Sequence, residues 1–261
     1  MDSIIPERQL TLAEKLAVIG TLDGLLELGH HGISVSDDPK ADGFVISSED
    51  SETPSVVHAA LTDDPHPAFG YSVDGISLSS SIASDSFGEG NVLVEPSIKK
   101  TGSLEIWVDI TKKSHLRTQK SVVLVDNGEN AELISQIAET LGHPDYLKIA
   151  NDLSIQELVA MAQKCSVGIT STAGGLLLLL SSMTPFLHVY STMPEKQLID
   201  DMALSSNSFG YRVLDKGQSP AVITAKLRET IADEIFLRKE IEKFRVFMRH
   251  EFLGVLRELL A

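Results

Sequence analysis

The chain has 261 residues, of which 43% are hydrophobic and 23% charged, as in an ordinary soluble globular protein. Its net charge is −15, and residues 1–100 alone hold 17 acidic and 5 basic side chains, which disfavours nucleic acid and anionic membranes as partners. The single cysteine, Cys165, excludes an intramolecular disulfide. No apolar run is long enough for a membrane span, and the first residues lack the features of a signal peptide, so we expect a cytoplasmic protein.

A helix and a short strand are the first predicted elements. Leu10–Ile19 has the apolar spacing of an amphipathic helix, and Leu25–Leu28 has the composition of a strand. His30 and His31 follow between two glycines, and they are the best general acid–base candidates because histidine titrates near neutral pH. The alternative is that both are solvated loop histidines.

This first segment aligns without a gap over a later one, residues 9–35 over residues 152–178. In that alignment Gly32 falls on Gly175. Either the two segments are pseudo-repeats, or two helix–strand units follow one pattern.

The middle of the chain alternates between apolar and polar segments. Four strands are expected, at Phe44–Ser47, Asn91–Pro96, Leu104–Ile110 and Val122–Val125, followed by a helix at Asn130–Leu141. Lys99–Ser103 has the composition of a linker, which predicts an acidic α/β lobe at 1–100 and a second domain at 101–261. Lys112–Lys120 is expected to be a polar, basic loop. Asp126 ends the last of these strands, in a loop that we expect to be the neighbour of Ser171–Gly175 in the sheet. There it would bind a ribose or sugar hydroxyl or cap the next helix.

The most informative stretch runs from Ser154 to Pro185. Ser154 and Glu157 form a predicted capping box at the start of an amphipathic helix, and Ser166–Thr170 is then typical of a short buried strand. A loop of small residues follows, and the leucine run that begins at Leu176 predicts a second helix. Helix, strand, loop, helix and strand in this order indicate a doubly wound parallel sheet.

The loop between that strand and the leucine helix is the expected ligand site. Backbone N–H groups at a helix N-terminus favour an anion, and Gly174 and Gly175 would let a ligand approach the backbone closely. The alternative is that these glycines only permit the helix and strand to pack closely.

Ser154–Leu204 resembles the distal part of the polysaccharide pyruvyl transferase family, whose donor domain is GT-B-like. The family's S-R-x-H-G motif aligns with Ser171–Gly175, followed by the family proline at Pro185 and by Tyr190 and Lys196. Thr172 and Gly174 replace the arginine and histidine of that motif. Heptosyltransferase-like proteins give a rival alignment that also lacks its acid and histidine here.

The C-terminal part is expected to be helical from Ala221, with one break near Asp233. Residues at three- and four-residue steps predict one apolar stripe, formed by Ile241, Phe244, Met248, Phe252, Val255 and Leu259. Such a helix would cross to the other lobe or form a homodimer contact.

Together these features predict an α/β protein with a Rossmann-like, GT-B-like parallel sheet and a long C-terminal helix. The resemblance implies transfer of a pyruvyl or glycosyl group from phosphoenolpyruvate or a nucleotide sugar to a saccharide acceptor in polysaccharide metabolism, with neither a cofactor nor a metal. His30 or His31 would be catalytic, and the donor-binding residues would be Ser171, Thr172, Gly174, Gly175, Asp126, Tyr190 and Lys196. The alternative function is a catalytically degenerate GT-B-like binding or scaffold protein.

Overall fold

The structure, a computed structural model, describes seven segments of the chain. They are residues 12–29, 45–47, 56–58, 87–97, 103–190, 213–215 and 219–260.

Eight strands and seven helices are defined in these segments. The strands are β1 (Val45–Ser47), β2 (Val56–His58), β3 (Val92–Glu95), β4 (Val122–Val125), β5 (Leu147–Ala150), β6 (Val167–Thr170), β7 (Phe186–Tyr190) and β8 (Val213–Asp215). The helices are α1 (Leu12–Glu27), α2 (Leu104–Thr118), α3 (Ala131–Leu141), α4 (Ile155–Lys164), α5 (Ala173–Ser181), α6 (Pro220–Ala232) and α7 (Glu234–Leu260).

Six of the strands form one parallel sheet in the order β5-β4-β3-β6-β7-β8, while β1 and β2 form a separate parallel pair. The predicted doubly wound α/β fold with a long C-terminal helix is therefore confirmed. The division at residue 100 stays a prediction, but β3 lies before that residue and is an interior strand of the sheet.

Both faces of the sheet are covered, as its strand sequences require. Val92, Val94, Val122 and Leu124 pack with apolar residues of α2, α3 and α6, whereas Leu93 and the strand residues that share its face pack with α1, α4, α5 and α7. Strands buried on both faces read as continuous apolar runs, which is why β3, β4 and β6 were predictable.

Two predicted strands are wrong. Leu25–Leu28 does not form a strand, because α1 continues through Glu27 and buries Leu25 against Phe252 and Leu256 of α7. The helix-then-strand alignment of residues 9–35 with 152–178 therefore does not describe the fold. Leu104–Ile110 is also helical, since it belongs to α2.

The apparent alternation in α2 covers only its first two turns. Its buried residues, Trp107, Ile110, Thr111 and Ser114, recur at helical spacing. The same helix continues through most of Lys112–Lys120, so the loop expected there is wrong as well.

The C-terminal helices follow the prediction, with a break at Asp233 between α6 and α7. Ile241, Met248 and Phe252 are buried as expected, but Val255 is 41% exposed and lies off the stripe. Within the segments that the structure describes, no helix is long and apolar enough to cross a membrane.

Candidate functional site

The strand order places the candidate site between β3 and β6. The chain winds from β3 outward through β4 to β5, then returns to the other side of β3 with β6. Ligands of open α/β sheets bind at such a reversal, beyond the carboxyl ends of the two strands. Glu95 ends β3 and Thr170 ends β6, and the two residues are register partners.

The first turn of α5 begins directly after β6. Thr172 is its N-cap and accepts a hydrogen bond from the Gly175 N–H at 3.1 Å. The Thr172 N–H donates to Thr170 Oγ1 at 3.4 Å, and the Ser171 N–H donates to Glu95 Oε2 at 3.3 Å. These three amides are therefore already hydrogen-bonded to the protein itself.

Glu95 is at the centre of this arrangement and is fully buried. Oε2 also accepts the Thr170 hydroxyl at 2.9 Å, and Oε1 accepts the Thr172 hydroxyl at 3.0 Å. The side-chain amide of Asn127, in the loop after β4, donates to Oε1. We call Glu95, Asn127, Thr170, Ser171 and Thr172 the Glu95 site.

Two opposing effects set the protonation of this carboxyl. Burial, the larger effect, raises the pKa of Glu95 to about 7, while the hydrogen bonds from Thr170, Thr172, Ser171 and Asn127 lower it. No lysine or arginine forms a salt bridge with Glu95 in the described part of the chain. The positive end of the α5 dipole and the neutral donors are the groups that stabilise its charge there.

Both glycines of the loop lie very close to other atoms of the protein, which is where the sequence predicted a ligand. A Cβ on Gly174 would lie 2.9 Å from the Ala13 nitrogen and from Leu12 Cβ, at the start of α1. A Cβ on Gly175 would lie 2.0 Å from Thr170 Oγ1 and 2.6 Å from Glu95 Oε2. These contacts support the alternative in which the glycines permit the helix and its neighbours to pack closely.

The loop after β4 is not the direct neighbour of Ser171–Gly175, because β3 lies between β4 and β6. Asp126 accepts a hydrogen bond from the Gly128 N–H at 2.8 Å, which closes a local turn. Asn127, the next residue, is the one that reaches the site.

Four predicted site residues are not seen at the Glu95 site. His30, His31 and Lys196 lie outside the described residues. Tyr190 is the last residue of β7, two strands from β3, and only its backbone is described. The roles predicted for all four stay predictions.

A cavity of about 250 Å³ lies beside the Glu95 site, at the start of α3. Its lining residues are Ser97, Asn127, Glu129, Asn130, Glu132, Leu133 and Gln136. Both charged residues among them are acidic, so the cavity repels a phosphate. Among the described residues, no group of three or more His, Cys, Asp or Glu side chains is placed to hold a metal ion.

Glu95 was not predicted as a site residue, although the strand that carries it was predicted. An acidic residue that directly follows three apolar ones and precedes Pro96 was the available signal. A charge at the end of a buried strand needs partners, and here they come from residues some 30 to 80 positions away in the sequence.

No family model matches the sequence, and no curated protein matches it. Among solved structures, the chain is similar to AviGT4, a glycosyltransferase involved in avilamycin A biosynthesis. The two share 13% identity with a TM-score of 0.53, over 94% of this chain and 89% of that chain.

Two further structures are substantially longer than this chain. UDP-GlcNAc 2-epimerase of Methanocaldococcus jannaschii, solved with UDP-GlcNAc and UDP, gives 8% identity and a TM-score of 0.51 over 68% of this chain and 48% of the epimerase. The glycotransferase of kitacinnamycin gives 17% identity and a TM-score of 0.46 over 66% and 42%. This chain therefore spans less than half the length of these two proteins. The likeness to AviGT4 and to the epimerase shows a GT-B-like fold.

Proposed function

We propose that this chain is a GT-B-like binding or scaffold protein that does not hold a phosphorylated donor on the Ser171–Gly175 loop. The observation that carries this proposal is the position of Glu95, whose carboxylate accepts the Ser171 N–H and the Thr172 hydroxyl at the start of α5. A donor phosphate bound there would have to displace this buried carboxyl group, which has the same charge sign when it is ionised.

The side chains around this loop support the same conclusion. The motif of the pyruvyl transferases that this chain resembles has an arginine and a histidine where this chain has Thr172 and Gly174. Arginine binds phosphate through two parallel hydrogen bonds, and neither threonine nor glycine replaces that charge. The neighbouring cavity adds two acids, Glu129 and Glu132.

Active transfer is the second candidate function, and the fold similarity to AviGT4 over 94% of the chain favours it. In this alternative a pyruvyl or glycosyl group moves from phosphoenolpyruvate or a nucleotide sugar to a saccharide acceptor in polysaccharide synthesis. His30 or His31 would act as general acid–base, and the donor would bind at Ser171–Gly175, Asp126, Tyr190 and Lys196.

One donor panel separates the two candidates. A ligand that binds the folded state raises its melting temperature by mass action. We therefore expect phosphoenolpyruvate, UDP, GDP, CMP and ADP, each at millimolar concentration, to shift the melting temperature by less than about 1 °C. Incubation with phosphoenolpyruvate or nucleotide sugars should release no phosphate or nucleoside diphosphate. A shift of several degrees together with turnover, lost in a variant with His30→Ala and His31→Ala, would establish the transferase instead.

A homodimer through α7 is a separate proposal about partners. Ile235, Phe236, Val246 and Phe247 are each more than half exposed and recur eleven residues apart, which is three helical turns. They therefore share one side of the helix, which supports self-association there. Light scattering should show a dimer that Phe236→Ser with Phe247→Ser converts to monomer, whereas Leu116→Ser, exposed on α2, should leave it unchanged.

A further inference from the structure

The Glu95 site draws its donors from three different elements. Thr170 is the last residue of β6, Asn127 lies in the loop after β4, and Ser171 and Thr172 lead into α5. Their hydroxyl, amide and backbone N–H groups all reach one carboxylate. The site therefore depends on the folded sheet, and the N-terminus of α5 supplies only part of it.

The three side-chain donors each make a second contact that orients them toward Glu95. The Thr172 hydroxyl oxygen accepts from the Gly175 N–H, and the Thr170 hydroxyl oxygen accepts from the Thr172 N–H. The Asn127 carbonyl oxygen accepts from the Glu129 N–H at 2.9 Å, so that the amide nitrogen faces Glu95. When Glu95 is ionised, both hydroxyls and the amide can therefore donate to it, and the Thr170 hydroxyl also has the Thr172 carbonyl oxygen at 3.4 Å as a second acceptor.

We propose that Glu95 is the internal ligand of an oxyanion site, and that its carboxylate keeps this site closed to the carboxylates and phosphates of other molecules. This inference deepens the proposed function and rests on it, because it names what occupies the loop in place of a donor. The ligand class is a small oxyanion of carboxylate size.

Replacing Glu95 by alanine should open the site. The substitution removes one methylene and the carboxylate, and acetate has the same heavy atoms as that fragment. The Ser171 N–H, the Thr172 hydroxyl and the Asn127 amide would then lose this acceptor, which is costly in a folded protein, while the Thr170 hydroxyl would keep the Thr172 carbonyl oxygen. Acetate should restore the acceptor and therefore stabilise the folded state of the variant.

The test compares melting temperatures in sodium acetate and sodium chloride at equal ionic strength and at pH 7.5. We expect acetate at about ten times its dissociation constant to raise the melting temperature of Glu95→Ala by roughly 3 to 6 °C relative to chloride. The wild type should shift by less than about 1 °C, because Glu95 fills the site.

Two further variants serve as matched controls. Glu95→Gln keeps a side chain of the same length in the site, and Glu129→Ala removes an exposed carboxylate at the neighbouring cavity. Neither should respond to acetate more than the wild type does. An equal response in all four proteins would overturn the proposal, because it would show a general salt effect.

If Glu95→Ala does not fold in chloride, the readout becomes the recovery of its far-UV circular dichroism and cooperative melting on addition of acetate. Recovery supports the proposal, and no recovery up to 0.5 M acetate contradicts it. The donor panel on the wild type is independent of this result. A wild type that binds donors would refute the proposed function, whereas an unresponsive Glu95→Ala would refute only the internal ligand.

Discussion

Two helices begin at the same edge of the sheet, yet their first turns differ. At α5, the Ser171 N–H is bonded to Glu95, and Gly174 lies against Leu12 and Ala13 of α1. At α3, which Asn130 precedes, the first turn borders a cavity of about 250 Å³. The N-terminus of α5 is packed against other residues of the protein, whereas the N-terminus of α3 borders a cavity.

The comparison separates two kinds of helix start, one whose preceding loop donates to a carboxylate of the protein itself and one that borders an acidic cavity. The loop before α5 has the small residues expected of a ligand site, but its Ser171 N–H and Thr172 hydroxyl, with the Thr170 hydroxyl, donate to a carboxylate from the neighbouring strand. The open start at α3 instead presents Glu129 and Glu132, whose charge opposes an anion. The proposed function therefore places a phosphate at neither start.

The largest effect should come from filling the space at Gly175. In Gly175→Ala the new methyl group would meet Thr170 Oγ1 at 2.0 Å and Glu95 Oε2 at 2.6 Å. Both atoms are held by hydrogen bonds, so the helix must move or the bonds must break. We expect a loss of about 3 kcal/mol or more in the free energy of unfolding, measured by urea denaturation.

Gly254→Ala is the matched control for this substitution. Gly254 lies within α7, and a Cβ there would have no neighbour within 4 Å. Because alanine is the better helix former, this variant should gain about 0.5 to 1 kcal/mol. If Gly175→Ala were as stable as the wild type, the close packing of α5 on the Glu95 site would be wrong.

How far the sequence predicts the fold depends on the element. Short apolar runs such as Val122–Val125 were predicted because a strand that is buried on both faces has apolar side chains at every position. The Ser154–Glu157 capping box was predicted and is present, since it uses only neighbouring residues. Leu104–Ile110 was not, because alternation over seven residues also fits two turns of a helix whose buried side is set by α6.

The site was less predictable than the fold. The loop Ser171–Gly175 was placed at the end of the correct strand, but its partners depend on strand order, which a single sequence does not specify. The expected neighbour was the Asp126 loop, whereas the actual neighbour is Glu95 of β3. The apolar run before Glu95 marks this acid in the sequence, but its partners are distant residues that a single sequence does not place beside it.

The second prediction concerns the pH dependence of stability. Folding raises the pKa of Glu95 from an ordinary value of 4.5 to about 7, so the unfolded state releases this proton at lower pH than the folded state does. Between about pH 4.5 and 7 the folded state therefore binds more protons, and its stability falls as the pH rises. Since a pKa change of one corresponds to about 1.4 kcal/mol, the full loss from Glu95 across this range should be roughly 3 to 4 kcal/mol.

Glu95→Gln should remove this contribution, so its urea midpoint should change less between pH 5 and 7.5 than that of the wild type. The comparison concerns the slope with pH, because the amide also changes absolute stability at all pH values. Glu132→Gln, at the open start of α3, should keep the wild-type slope, since Glu132 is exposed. Equal slopes in the wild type and Glu95→Gln would mean that the four donors stabilise the ionised carboxylate enough to cancel its burial, and the internal anion would then carry its charge throughout this range.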